Sequence, residues 1–442
     1  MSFKERKNIV CQQRLVSSYL GFTGLYEMRE FSIKHSSFII FIYAIGSQFT
    51  GVTIGFLKVW ELFSLLILPL FMHRVHKKLI PLILFFIFLL FLSFITTFFP
   101  TSVYSNYGGL KSKYIISLVR FVEIMLCIST VIIIMNLTMG RKENRSSLIS
   151  KFVRYNFYLT ILILIIFCID LTMGTDFVSY GEMHRLKGFY VEGGPYGLFI
   201  STLFLLELIS NRRILYILTF ALVMGLTQSK AGIVSLSILL TIYFMMKNKF
   251  LRSFLIPRNF IRFSFFIVFS LLVSAFTIYK VANNYIIDIN NYREILKDRP
   301  DDNNFVMGRI SASYIGPRIF VDNPIIGVGL GAYSLVRNDT KYRGEFPEVK
   351  EWDLTGLGGI LTLLIENGFL GLLGFIFIIA RLFKFDIIGI TFIVLFFTPF
   401  IFGAQLYMFY PWVYLGFYMS IKNKDDINKN KLPSLAYSYN NK

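Results

Sequence analysis

Apolar runs close to the roughly 20 residues that a helix needs to cross a bilayer recur from residue 37 to residue 421. No soluble core hides so many greasy segments. The hydrophobic share of 55% also exceeds the roughly 45–50% of ordinary globular chains. The pattern predicts an all-α, polytopic integral membrane protein of about twelve transmembrane helices. The spans are expected at 37–56, 59–72, 79–99, 114–137, 157–171, 194–209, 214–226, 231–246, 263–281, 357–380, 387–402 and 404–421.

The formal net charge of +19 suits nucleic acid binding in a soluble chain, but here it has a simpler origin. Lys and Arg collect in the cytoplasmic loops of membrane proteins. The basic segments near Lys4, His73, Gly140, Asn211, Lys247, Arg381 and Lys422 all fall on one side if both termini are cytoplasmic. No nucleic acid partner is expected. The division is then a cytoplasmic segment 1–36, spans one to nine over 37–281, a large periplasmic loop 282–356, spans ten to twelve over 357–421 and a cytoplasmic tail 422–442. The polar N-terminal stretch reads as part of the mature chain rather than as a cleavable signal.

Cys11, Cys127 and Cys168 form no paired framework, and His35, His73, His76 and His184 are scattered. Neither set has metal-ligand spacing. No phosphate-loop or dinucleotide motif occurs. Neither metal nor cofactor is expected, and any donor must arrive already activated, through the membrane.

The 282–356 loop carries "IFVDNPIIGVGLGAYS", with glycines at 327, 329 and 331 after an Asp-Asn-Pro turn. A loop of this length is seldom structureless. Its aliphatic residues predict short helices over the outer face, with the glycines letting the chain fold back tightly.

The outer side also receives unusual cations. Arg185 and Lys187 precede "YVEGGPYG", whose Gly193-Gly194-Pro195 suits a helix start with open N–H groups; Lys230 lies in the short "TQSKAG" turn, and Arg309 and Arg318 flank Gly316-Pro317. Nine helical residues put two arginines on opposite faces, so a break at Pro317 is expected to let them converge. Arg binds phosphate through a planar two-pronged fork. Arg185, Lys230, Arg309 and Arg318 are therefore candidate pyrophosphate contacts. The alternative is that Arg309 and Arg318 pair with Asp301, Asp302 or Asp322.

Two carboxylates compete for the general base. Glu192 is either that base or a helix cap, and Asp353 either the base or the N-cap of the tenth span. His184 reads as a solvated loop residue. Arg120 and Glu123 lie one turn apart in the fourth span. They form either a mutual ion pair or an extension of the phosphate rim.

Four of these stretches, taken in order, resemble the O-antigen polymerase and ligase superfamily. "RLKGFYVEGGPYG" (185–197) and "TQSKAG" (227–232) resemble its Arg-aromatic loop and its basic turn. Gly308-Arg309 with "DNPIIGVGLGAY" (322–333), and "LLIENGFLGLLGFIFII" (363–379), resemble its C-terminal signature. Lys230 departs from the Arg often found there. The ligase branch has a histidine before the last spans, where this chain reads "EWDLTGLGG" (351–359), which favours the polymerase branch.

The resemblance implies an inverting, metal- and nucleotide-independent glycosyltransferase of the bacterial inner membrane. It would join undecaprenyl-pyrophosphate-linked repeat units at the periplasmic face, among membrane lipids and with a chain-length regulator as partner. Glu192, Asp353 and Arg309 are the expected catalytic residues; Arg185, Lys230, Arg309, Arg318 and Arg120 are the expected pyrophosphate contacts. The rivals are a ligase that transfers glycan to lipid A-core and a lipid-linked oligosaccharide flippase.

Overall fold

The structure is a computed structural model describing residues 36–55, 57–71, 75–96, 112–138, 146–181, 184–247, 291–298, 308–349, 356–384 and 386–431. Within them the chain is mostly helical. The helices are α1 (Ser36–Gln48), α2 (Val59–Phe71), α3 (Ile80–Ile95), α4 (Lys113–Thr138), α5 (Ser146–Met173), α6 (Gly193–Ser210), α7 (Ile214–Thr227) and α8 (Lys230–Lys247), then α9 (Tyr292–Asp298), α10 (Arg309–Asp322), α11 (Tyr333–Val336), α12 (Thr340–Arg343), α13 (Gly359–Leu382), α14 (Ile387–Phe402) and α15 (Phe409–Lys431). Two antiparallel ribbons, β1–β2 (Thr53–Ile54 with Leu57–Lys58) and β3–β4 (Ser179–Tyr180 with Arg185–Leu186), close two of the loops.

Among the described residues, five helical stretches are long and apolar enough to cross a membrane: Lys77–Ile95, Lys113–Leu137, Leu148–Met173, Gly193–Ser210 and Gly359–Leu382. Shorter apolar helices lie between them. Large apolar side chains such as Leu84, Phe91, Ile165, Leu218 and Phe377 point outward, as lipid-facing residues do and water-facing residues seldom do in such number. The expected span at 263–281 lies outside the described residues.

Helix ends follow specific polar contacts rather than hydropathy. α1 stops at Gln48, short of the expected residue 56, because Gln48 turns inward and donates to Asn156 Oδ1 (3.1 Å) and Thr160 Oγ1 (3.2 Å) on α5. The chain then reverses in the β1–β2 hairpin. α14 opens on Asp386, whose carboxylate accepts from the Gly389 N–H (2.7 Å), and closes at Gly403 (φ 132°). The last two spans, nearly fused on hydropathy, are separated there.

The bundle interior is aromatic, with Trp60, Trp412, Tyr43, Tyr196, Tyr410, Tyr414, Phe86 and Phe199 fully buried. α6 and α8 approach closely at glycines. A Cβ on Gly232 would stand 2.8 Å from the Gly197 carbonyl carbon, and one on Gly197 would collide with Ser229. Small residues that let backbones meet are the usual solution where no hydrophobic effect draws helices together.

α13 is broken at Gly368 (φ 62°, ψ −165°), and the glycine segment fills the break. Phe369 and Leu370 N–H donate to the Pro324 and Ile325 carbonyls (2.8 and 3.1 Å), while Val328 and Gly329 N–H donate to the Ile365 and Glu366 carbonyls (3.3 and 2.6 Å). Further on, the Leu330 N–H donates to Ser93 Oγ (2.7 Å) and the Leu330 carbonyl accepts from Ser117 Oγ (2.6 Å). Gly327, Gly329 and Gly331 all have positive φ. The segment is thus wedged among α3, α4 and α13, and non-helical backbone inside a bundle is tolerated because protein partners satisfy it.

Candidate functional site

One end of the bundle collects the starts of α6 and α8. Their placement begins with Asp170 at the end of α5, whose carboxylate accepts from Thr175 Oγ1 (2.6 Å) and from the Val178 and Ser179 N–H groups (2.7 and 3.1 Å). This fixes the β3–β4 hairpin and, on it, Arg185. Arg185 lies 5.1 Å from the Tyr180 ring centroid and donates to the Thr227 and Gln228 carbonyls (3.2 Å each). It therefore caps the exposed carbonyl end of α7.

α7 ends because Gln228 takes a left-handed conformation (φ 49°). The next residue, Ser229, joins the two helix starts: its hydroxyl accepts from the Gly232 N–H (2.9 Å) and donates to the Gly194 carbonyl (3.0 Å). Lys230 opens α8 with its side chain exposed. Glu192 occupies the N-cap position of α6 in an extended conformation and is exposed, but its carboxylate makes no capping hydrogen bond.

Arg309, the first residue of α10, reaches the same place from the other side. Its Nη2 donates to the Phe402 carbonyl (3.4 Å) and stands 4.0 Å from where a Cβ on Gly194 would be. Arg185, Lys230, Arg309 and Glu192 thus surround two adjacent helix N-termini. Such termini carry open N–H groups and partial positive charge, and with three cations beside them the arrangement suits a multiply charged anion.

Other expected residues are placed differently. α10 runs through Gly316-Pro317 as one helix, so Arg318 stays on the face opposite Arg309 and lies 3.4 Å from the Tyr314 ring centroid. The expected convergence of the two arginines is not made: one proline removes one backbone hydrogen bond, and the buried residues Ile315 and Ile319 on either side keep α10 seated. Asp322 pairs with Lys341 (2.5 Å) and Tyr342 (2.8 Å), which hold its carboxyl below the usual carboxylate range. Asp353 lies outside the described residues, as do Asp301 and Asp302. His184 is exposed in the turn before β4.

Arg120 belongs to a separate interior cluster. It is buried, pairs with Glu123 (2.7 Å) and lies 3.9 Å from the Tyr407 ring centroid; Glu123 also meets Lys58 (3.3 Å), which meets Glu61 (3.9 Å). Beside it is a cavity of about 20 Å³, lined by Arg120, Ser334, Thr362, Glu366 and Gln405 among others, large enough for one water molecule. Glu366 is buried there, and its main-chain carbonyl, accepting from the Gly329 N–H, helps tie the glycine segment to α13. Lys58, Glu61 and Glu366 are absent from the sequence-level candidates. Glu61 in "VWELF" and Glu366 in "LLIENGF" carried the available signal, an acid inside an apolar run. Replacing Glu123 with Gln leaves the buried Arg120 and the half-buried Lys58 without their shared anion, so Glu123→Gln is expected to destabilise by about 3–5 kcal/mol, read as a lowered melting temperature in detergent.

Among the described residues no group of three or more His, Cys, Asp or Glu is placed to hold a metal ion. Comparison with protein families, with curated proteins and with solved structures finds no match for this chain.

Proposed function

We propose that the protein is a membrane glycosyltransferase of the O-antigen polymerase type, acting on glycans carried by an isoprenyl diphosphate. The observation that carries this reading is the meeting of Arg185, Lys230 and Arg309 at the paired N-termini of α6 and α8. A diphosphate is the ligand class that best matches three cations and two helix starts. A bundle with lipid-facing sides gives an isoprenyl tail a place to lie while its head group reaches the end of the bundle.

In this reading the hydroxyl of an incoming lipid-linked repeat unit attacks the anomeric carbon of the growing glycan. The new C–O bond forms as the bond to the lipid diphosphate breaks, which inverts the anomeric centre. Glu192, exposed beside the helix starts, takes the hydroxyl proton, and Asp353 is the alternative base. The leaving diphosphate gains negative charge, and the cations stabilise it in the transition state. The chain would act at the periplasmic face of a bacterial inner membrane, and a chain-length regulator remains part of the proposal.

Reconstitution in liposomes with a lipid-diphosphate-linked repeat unit as sole substrate tests this. A ladder of longer lipid-linked glycans is expected. No elongation in that assay, with glycan transfer appearing only once a lipid A-core acceptor is added, would replace the polymerase with a ligase. Movement of the lipid-linked unit across the bilayer without elongation would replace it with a flippase.

A further inference from the structure

α10 and the turn that follows it expose an apolar surface beside the bundle. Val321 is 73% and Ile325 69% exposed, in a turn that stands open over 321–325 between the buried Ile319 and the buried Gly327. Between them Asp322 and Asn323 turn toward polar partners, Lys341 and Tyr342 for Asp322 and the Ile319 carbonyl for Asn323.

The surface is continuous with the outward face of α13. Phe320 meets Phe369 edge-on, with ring centroids 5.2 Å apart. Phe369, Leu370, Leu373, Ile376 and Phe377 then continue as exposed apolar residues (41–61%). Their spacing of three to four residues is one stripe of a helix, on a helix apolar enough to cross a membrane. A stripe of that kind faces lipid.

We infer that the 320–326 turn is an interfacial membrane anchor, with Val321 and Ile325 immersed at the boundary of head groups and acyl chains beside α13. The backbone chemistry permits it. Irregular backbone enters lipid only where its polar groups find protein partners, and here the Pro324 and Ile325 carbonyls accept from Phe369 and Leu370 while the Gly327 N–H donates to the Asn323 carbonyl (3.1 Å). The flanking side chains fit an interface as well. Lys341 lies over the Tyr342 ring (5.1 Å), a basic and aromatic pair of the type that marks the head-group level. The anchor would hold α10, and with it Arg309, at a fixed height relative to the membrane surface. The inference itself does not depend on what Arg309 binds.

The test uses single labelling sites in the full chain, with Cys11 and Cys168 replaced by Ser and the buried Cys127 retained. Val321→Cys and Ile325→Cys carry a polarity-sensitive fluorophore in liposomes. Ile376→Cys serves as the lipid-facing reference and Arg318→Cys as the water-facing one. Labels at 321 and 325 are expected to be blue-shifted relative to 318, quenched by lipids spin-labelled high on the acyl chain, and shielded from aqueous iodide. Iodide quenching equal to that at 318 overturns the inference. Shielding from both quenchers also overturns it, because the patch is then covered by protein, either a second copy or another partner.

Discussion

Arg309→Ala is expected to lower glycan elongation by about 10²–10³-fold, the usual loss when one preorganised donor to a developing oxyanion is removed. The protein should still fold. Arg309 is exposed and the one hydrogen bond described for its side chain is a long one, 3.4 Å to the Phe402 carbonyl, so removing that side chain should change stability by no more than about 0.5 kcal/mol. Arg309→Lys should also be impaired, because an ammonium keeps the charge without the fork. Elongation in liposomes, normalised to the amount of folded protein, reads both variants. Normal product lengths for Arg309→Ala would remove Arg309 from the proposed site.

The second large effect is on folding. At Gly327 (φ 67°) an added Cβ would run into the backbone of Glu366, and at Gly368 (φ 62°) it would run into the backbone of Ile325. Both obstacles are main chain, which cannot swing aside. A left-handed conformation costs an L-residue roughly 1–2 kcal/mol, and forced overpacking about 1–3 kcal/mol more. Gly327→Ala and Gly368→Ala should therefore each destabilise by about 2–5 kcal/mol, seen as low yield and a depressed melting temperature. Gly55 and Gly174 provide the contrast. They have similar φ (64° and 68°) but open space where a Cβ would go, so alanine there should cost only the conformational term. Equal losses at all four positions would mean that the seating of the glycine segment in the α13 break contributes nothing to stability.

The two results together separate what local sequence reveals from what packing decides. Most helices are legible in the apolar runs because a span has to bury its own backbone polarity, and the segments over 80–95, 113–138 and 359–382 show it plainly. Their ends are less legible. Gln48 ends α1 because Asn156 and Thr160 on a distant helix receive its amide, and no local pattern announces that. The grouping of Arg185, Lys230 and Arg309 follows from glycine-rich helix starts and a short turn, both visible locally. The position of Arg318 turned on whether Pro317 would break α10, and the burial of Ile315 and Ile319 decided against a break. The glycine segment has the clearest local signal and the least obvious meaning. Three glycines at alternate positions announce a tight turn, but that the turn fills a break in α13 at Gly368 depends on a contact about 40 residues away in the chain.

The central claim is that the end of the bundle where α6, α8 and α10 begin grips a diphosphate. Its most direct test is equilibrium binding of an isoprenyl diphosphate, against the corresponding monophosphate, to the protein in lipid nanodiscs. The diphosphate should bind more tightly, and the preference should shrink in Arg309→Ala and Lys230→Ala and weaken with added salt. Equal binding of the two lipids by the wild-type protein, or a diphosphate preference untouched by either substitution, would contradict the account.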